Sequence, residues 1–376
     1  MRFSLQQTDT ETSARAGRID TGRGVIETPI FMPVGTVGSV KAVQPRELAA
    51  DVRAQIILGN TYHLYLRPGT DVIEKAGGLH RFMDWSGPLL TDSGGYQVFS
   101  LSDNREITEE GVHFRSHLDG SSHFFTPESV VDVQRIIGSD IMMVLDECPA
   151  ADVSEQYARA SNEMTVRWAR RCKQRFEETE ALYGHDQALF PIVQGVVFPE
   201  IRRESAKRLV EMDFPGYAIG GLSVGESDEA MYGMVDIVVD LLPHERPRYL
   251  MGVGTPENLL ENIARGIDMF DCVMPTRNGR NGMLFTTEGT MNIRNRKWRD
   301  DFSPIDPGLD GYVSRTFSKA YVRHLFVANE ILGLQIASLQ NLSFYLWLMR
   351  ASRTAILDGS FAAWKREIQP RVSRRL

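Results

Sequence analysis

The sequence predicts an α/β chain: a (β/α)8 (TIM) barrel with antiparallel strands before it and an α-rich subdomain after it. Two observations carry that prediction. Eight short apolar runs recur along the chain, most of them separated by stretches long enough for a helix. The runs are also continuous rather than alternating, as expected of strands buried on both faces of a parallel sheet. Strand, helix, strand repeated about eight times points to a barrel. A doubly wound open sheet accommodates eight runs as well, but no Gly-rich dinucleotide turn follows the first of them.

In chain order, residues 3–28 read as antiparallel strands and turns that close the barrel bottom. The eight runs follow: IFMPV at 30–34, IILGN at 56–60, PLLTD at 88–92, IMMVLDE at 141–147, LFPIVQG at 189–195, YAIGGL at 217–222, RYLMGVG at 248–254 and MFDCVMP at 269–275. Between them, residues 161–178 have helical periodicity, and 257–267 follow a proline suited to a first helical turn. From about Arg315 the pattern turns helical, with Tyr321, Leu325, Ala328, Ile331 and Leu332 at helical spacing. We therefore expect a barrel with its β cap over 1–290 and an α-rich subdomain over 291–376.

Composition narrows the function classes. With 42% hydrophobic and 24% charged residues, the chain has an ordinary globular balance and enough apolar material for a large core. A net charge of -7 excludes a uniformly basic nucleic-acid binder but leaves room for a local basic patch. Cys148, Cys172 and Cys272 stand too far apart for a disulfide framework or a CxxC knuckle. The first residues hold no apolar secretory core, and no stretch approaches the ~18 apolar residues of a membrane span. A cytoplasmic protein is expected.

Barrel chemistry gathers where strands end. The runs close on Asn60, Asp92, Asp146 with Glu147, Gln194, Gly220 with Gly221, and Gly252, and Asp271 stands inside the last. One such carboxylate alone serves as a helix cap or an arginine partner. Three, beside an amide and a bare glycine backbone, describe a site. An ionised carboxylate accepts from both the N–H and the NH2 of a guanine edge, while a Gln amide and a backbone N–H serve the ring carbonyl. Asp146, Gln194 and Gly221 fit those needs, and Met251 and Tyr96 are placed to sandwich a flat ring. A pterin or a free purine presents the same edge. Asp92 and Asp271 remain as a pair, one able to attack an anomeric carbon while the other manages protons.

Several stretches resemble bacterial-type tRNA-guanine transglycosylases. They include TPIFMPVGT at 28–36, ILGNTYHLYLRPG at 57–69, LLTDSGGYQVFSL at 89–101 and SHLDGSSHFFTPE at 116–128. DECP at 146–149, QG at 194–195, YAIGGLSVGE at 217–226, RYLMGVGTPE at 248–257 and GIDMFDCVMPTRNGRNG at 266–282 continue the likeness, in order, along nearly the whole chain.

The resemblance implies an enzyme that exchanges the wobble guanine of GUN-anticodon tRNAs for a 7-deazaguanine base, in queuosine modification. It implies Asp271 as the nucleophile on the ribose and Asp92 as general acid and base. It implies Asp146, Gln194 and Gly221 as readers of the guanine edge, with Leu222 and Met251 near the base and Tyr96 stacked on it. Val224 matches users of the small precursor 7-(aminomethyl)-7-deazaguanine, whereas Ser223 is closer to users of queuine. The target nucleotide must leave its stack to reach such a pocket. No nucleotide or redox cofactor is implied, and a homodimer is.

Between Arg277 and Arg299 stand Arg277, Arg280, Arg294, Arg296, Lys297 and Arg299 against the single acid Glu288, a stretch suited to anticodon-loop phosphates. In one respect the sequence departs from the family, most of which carries zinc on a CxCxxC motif and a later histidine. Here those positions hold Leu309, Gly311, Ser314 and Gln340. No zinc is expected. Two other readings compete. A non-catalytic tRNA-binding partner subunit would explain the lost ligands but not the retention of Asp92 and Asp271. A barrel glycoside hydrolase would want aromatic platforms at strand ends, and none of Trp85, Trp168, Trp298, Trp347 and Trp364 stands at one.

Overall fold

The computed structural model describes residues 1–101 and 105–376. Strands β1 (Arg2–Thr8), β2 (Arg15–Thr21) and β3 (Gly24–Thr28) form an antiparallel sheet in that order. The buried Arg15 fastens this sheet to the body. Its guanidinium pairs with Asp268 at 2.5 Å and donates to the carbonyls of His244 and Arg246.

The eight apolar runs all contain strands. β4 (Ile30–Met32), β5 (Ile57–Gly59) and β6 (Leu89–Thr91) come from the first three. An insertion of three short antiparallel strands follows: β7 (Arg105–Ile107), β8 (Val112–Arg115) and β9 (Ser122–Phe125). Then come β10 (Ile141–Met143), β11 (Ala188–Phe190), β12 (Ile192–Val193), β13 (Tyr217–Ile219), β14 (Arg248–Leu250) and β15 (Met269–Asp271).

The parallel strands order as β11-β10-β6-β5 and as β12-β13-β14-β15-β4. Pro191 alone separates β11 from β12, and a parallel bridge joins Val34, just past β4, to Leu58 in β5. The chain is a mixed α/β fold.

Local chemistry sets the helices between strands. Thr126 caps the Pro127–Ile137 helix in a reciprocal exchange with Ser129, and Gly138 ends it in the left-handed region. Ser154, Ser227 and Thr255 cap the helices Glu155–Glu178, Asp228–Val239 and Pro256–Ala264. The β7–β9 insertion was not anticipated. Its signal is a brief alternation: Val112 and Phe114 turn inward, His113 and Arg115 outward.

One expectation needs correction. The helix Ile331–Leu357 is long and apolar enough, by length and composition, to cross a bilayer, though no such stretch was expected. Most of its apolar window, 72%, is buried inside the protein. It also carries the buried polar residues Ser338, Gln340, Asn341 and Ser343, which suit a core helix. It packs on β4, where the Tyr345 and Phe31 ring centroids lie 4.8 Å apart. It also covers the hairpin β16 (Met283–Thr286) and β17 (Gly289–Asn292), with Phe344 stacked on Phe285.

Candidate active site

The strand ends converge on one cleft. Asn60, Asp92, Asp146, Gln194, Gly220, Gly221, Gly252 and Asp271 all line it, from seven strands. Tyr96, Leu222 and Met251 line it too, so both catalytic candidates and all six base-contact candidates share one cavity. Glu147 does not line it; that carboxylate takes the hydroxyl of Tyr157 instead.

Each carboxylate is held differently. Asp92 leaves β6 and is buried, with Asn60 Nδ2 on Oδ2 at 2.5 Å and the Thr61 amide on Oδ1 at 2.8 Å. Burial, with a smaller push from Asp271, raises its pKa to about 6. Asp146 follows β10. Ser93 Oγ donates to its Oδ1 at 3.0 Å and Gln194 Nε2 to its Oδ2 at 2.7 Å. Burial lifts this group to about 6 as well, against the opposing pull of those two donors. In both cases desolvation of the charged form outweighs the hydrogen bonds.

Asp271 closes β15. The Tyr249 hydroxyl donates to its Oδ1 at 2.6 Å and the Gly252 amide to the same oxygen at 2.9 Å. Oδ2 has no protein donor among the described residues. Burial raises the pKa, while Tyr249 and Gly252 oppose the shift. The result is a carboxylate pinned by one oxygen, with the other open to the cleft. Tyr249 was not singled out from sequence. It sits within an apolar run, where a tyrosine reads as core.

The base-contact candidates surround this floor. Gly221 has φ +63, and a Cβ there would run into Gln194 Oε1, so a side chain would be excluded both by backbone and by space. Gln194 is buried, and its Oε1 has no hydrogen-bond partner among the described residues. Tyr96 is half exposed at the rim. Past Leu222, Glu226 receives the amides of Ser223 and Val224, fixing the turn on which both sit.

The basic candidates lie outside the cleft. Arg277 and Arg280 stand on the helix Met274–Arg280, which leaves directly from Asp271. Arg294 follows the β16–β17 hairpin, with its guanidinium over Phe326 and on that residue's carbonyl at 3.0 Å. Its side chain passes Gly282, two residues beyond Arg280. Arg296 and Lys297 are exposed, the latter over Trp298.

The zinc positions of the resembling family do not fit a metal here. Leu309 and Gly311 offer no side-chain donor. Ser314 Oγ donates to Gln340 Oε1 at 2.7 Å, and Gln340 Nε2 to the Phe285 carbonyl at 2.9 Å. The pair is fully buried and uses its polar atoms on the protein, with no thiolate or imidazole among the four.

Comparison with known proteins identifies the family. The family model described as queuine tRNA-ribosyltransferase matches residues 9–374. The queuine tRNA-ribosyltransferase of Caldanaerobacter subterraneus subsp. tengcongensis is 54% identical over 98% of this chain and 96% of its own. Those of Symbiobacterium thermophilum and Solidesulfovibrio magneticus are 54% and 55% identical, over 97% and 95% of this chain and 90% and 94% of theirs. With a full-length family match and relatives above half identity, the chain belongs to the queuine tRNA-ribosyltransferase family.

Proposed function

We propose that this pentosyltransferase exchanges the wobble guanine of GUN-anticodon tRNAs for a 7-deazaguanine base through a covalent Asp271–ribose intermediate. The observation that carries the reading is the state of Asp271: Oδ1 is fixed by Tyr249 and Gly252 and Oδ2 is open to the cleft. Oδ2 attacks the ribose C1′, the C1′–N9 bond breaks, and its electron pair leaves with guanine. Asp92, poised near neutrality, gives a proton to the departing base and takes one from the incoming base. That base then attacks C1′ and expels the carboxylate. Asp146 accepts from the base N–H and NH2, while Gln194 and the Gly221 amide serve the carbonyl. Leu222, Met251 and Tyr96 flank the ring. Val224 favours the small aminomethyl precursor over queuine.

Arg277, Arg280, Arg294, Arg296 and Lys297 hold the anticodon-loop phosphates. The parallel strands close as a barrel through Pro191 and the Val34–Leu58 bridge. The exposed apolar side chains of Phe302, Tyr312 and Ile331 suit a homodimer contact. The enzyme acts in the cytoplasm. A denatured gel of protein with radiolabelled tRNA tests the central step. A shifted band is expected with a GUN anticodon and none when A replaces the wobble G; a band with both would refute wobble-guanine recognition.

Base binding carries its own pH signature. Asp146 must be ionised to accept from both base donors, and its pKa is raised to about 6. Guanine affinity therefore falls about tenfold per unit below pH 6 and is flat above it. Calorimetry with free guanine across pH 5–8 reads this slope. Asp146→Asn should bind weakly at every pH; a slope that persists in that variant would assign it to another group.

The C-terminal region holds together without zinc. A buried relay from Ser314 through Gln340 to the Phe285 carbonyl supports this reading. Replacing Gln340 with Leu strands the Ser314 hydroxyl and the Phe285 carbonyl, at a cost of about 1–3 kcal/mol. Thermal melts with and without EDTA check both halves. The wild type is expected to melt identically in each, and a fall in Tm with the chelator would contradict the metal-free relay.

A further inference from the structure

Arg202 is completely buried on the helix Pro199–Val210 and makes no ion pair within 4 Å among the described residues. All of its side-chain bonds go to backbone carbonyls at two strand ends. Nη1 donates to Val193, the last residue of β12, at 3.0 Å, and Nε to Val196 just past it at 2.9 Å. Nη1 also donates to Gly220 at 2.8 Å, and Nη2 to Gly221 at 3.1 Å, after β13. Gly195 admits it, since a Cβ there would press on the Arg202 backbone and Cγ. Burial lowers its pKa to about 10, which leaves it charged at neutral pH.

A buried cation without a carboxylate partner is expensive, and an apolar side chain would fill the space without that cost. What the charge does instead follows from the peptide it grips. The Gly220 carbonyl belongs to the same peptide unit as the Gly221 N–H. Carbonyl and N–H point in opposite directions, so a guanidinium on the first polarises the second and fixes its aim. Among the described residues the Gly221 amide meets no protein acceptor, and Gly221 lines the cleft.

We propose that Arg202 is a positioning residue that strengthens the Gly221 N–H as donor to the base carbonyl. The inference rests on the reading of Gly221 as facing that carbonyl. When the C1′–N9 bond breaks, the electron pair delocalises from N9 through the ring onto the C6 oxygen. A preorganised donor at that oxygen stabilises the leaving base and, in the return step, the incoming one. The same guanidinium ties the Gln194 loop to the Gly221 loop, so both readers of one oxygen share a single anchor.

The test compares guanine with 6-thioguanine, which keeps the N–H and NH2 edge but replaces the oxygen with a weaker acceptor. Kd for each is measured by competition against labelled guanine. Wild type is expected to prefer guanine strongly. Arg202→Met should cut that preference about tenfold, and Arg202→Lys, which keeps a charge but cannot span both strand ends, should fall between. General damage to the fold would weaken both bases alike and leave the ratio intact. An unchanged ratio in the variants overturns the role of Arg202. A wild type without preference overturns the reading of Gly221 itself, and this proposal with it. Should Arg202→Met fail to fold, the ratio in Arg202→Lys decides on the same terms.

Discussion

Asp271→Ala is expected to fold, bind tRNA and form no covalent adduct, with guanine exchange reduced by roughly 10⁴-fold or more. The size of the effect follows from the site. The other carboxylates of the cleft are engaged: Asp92 by Asn60 and Thr61, Asp146 by Ser93 and Gln194. Neither leaves one carboxylate oxygen without a donor among the described residues, as Asp271 does. Folding should survive, because Asp271 bonds only Tyr249 and Gly252 at the cleft floor and carries no ion pair among the described residues. Losing it leaves the Tyr249 hydroxyl unpaired, a cost of about 1–3 kcal/mol. Single-turnover release of labelled guanine from tRNA, with tRNA binding measured in parallel, separates chemistry from affinity. Adduct formation by the variant would remove Asp271 from the nucleophile role.

Asp92→Asn should bind tRNA and still slow exchange by about 10²–10⁴-fold, the range for losing a general acid and base. Burial places this group near pH 6, so it exchanges a proton readily in either direction. The sign is specific. Its raised pKa keeps the acid form present at pH values where an exposed aspartate is fully ionised. Proton donation to departing guanine therefore weakens as pH rises through about 6. In wild type, guanine release under single-turnover conditions should lose rate on that limb, and the variant should lose the limb. A variant that keeps the wild-type alkaline fall would assign the proton to another donor.

The parts of this molecule that sequence made legible share one property: each is a pattern of neighbours along the chain. Apolar runs located all eight strand positions, and the polar and glycine residues at the ends of most runs located the cleft, because a parallel strand must deliver its last residue to one face. Asp92, Asp146, Gln194 and Asp271 were readable for that reason. Tyr249 was not, since a hydroxyl inside an apolar run looks like core until its partner, 22 residues on, is brought beside it. Arg202 was not, since it stands next to Arg203 and nothing in the sequence tells the buried one from the solvated one. The three-stranded insertion at 105–125 was hidden by its brevity. Ser314 and Gln340 were visible as lost ligands, but their bond to each other was not, because they lie 26 residues apart.

The most direct test of the central claim is incorporation of labelled guanine into a tRNA with a GUN anticodon by the purified protein alone, with metal content assayed on the same sample. The account predicts incorporation without stoichiometric zinc. No incorporation by well-folded protein would contradict it and turn the chain into a tRNA-binding subunit that relies on an active partner.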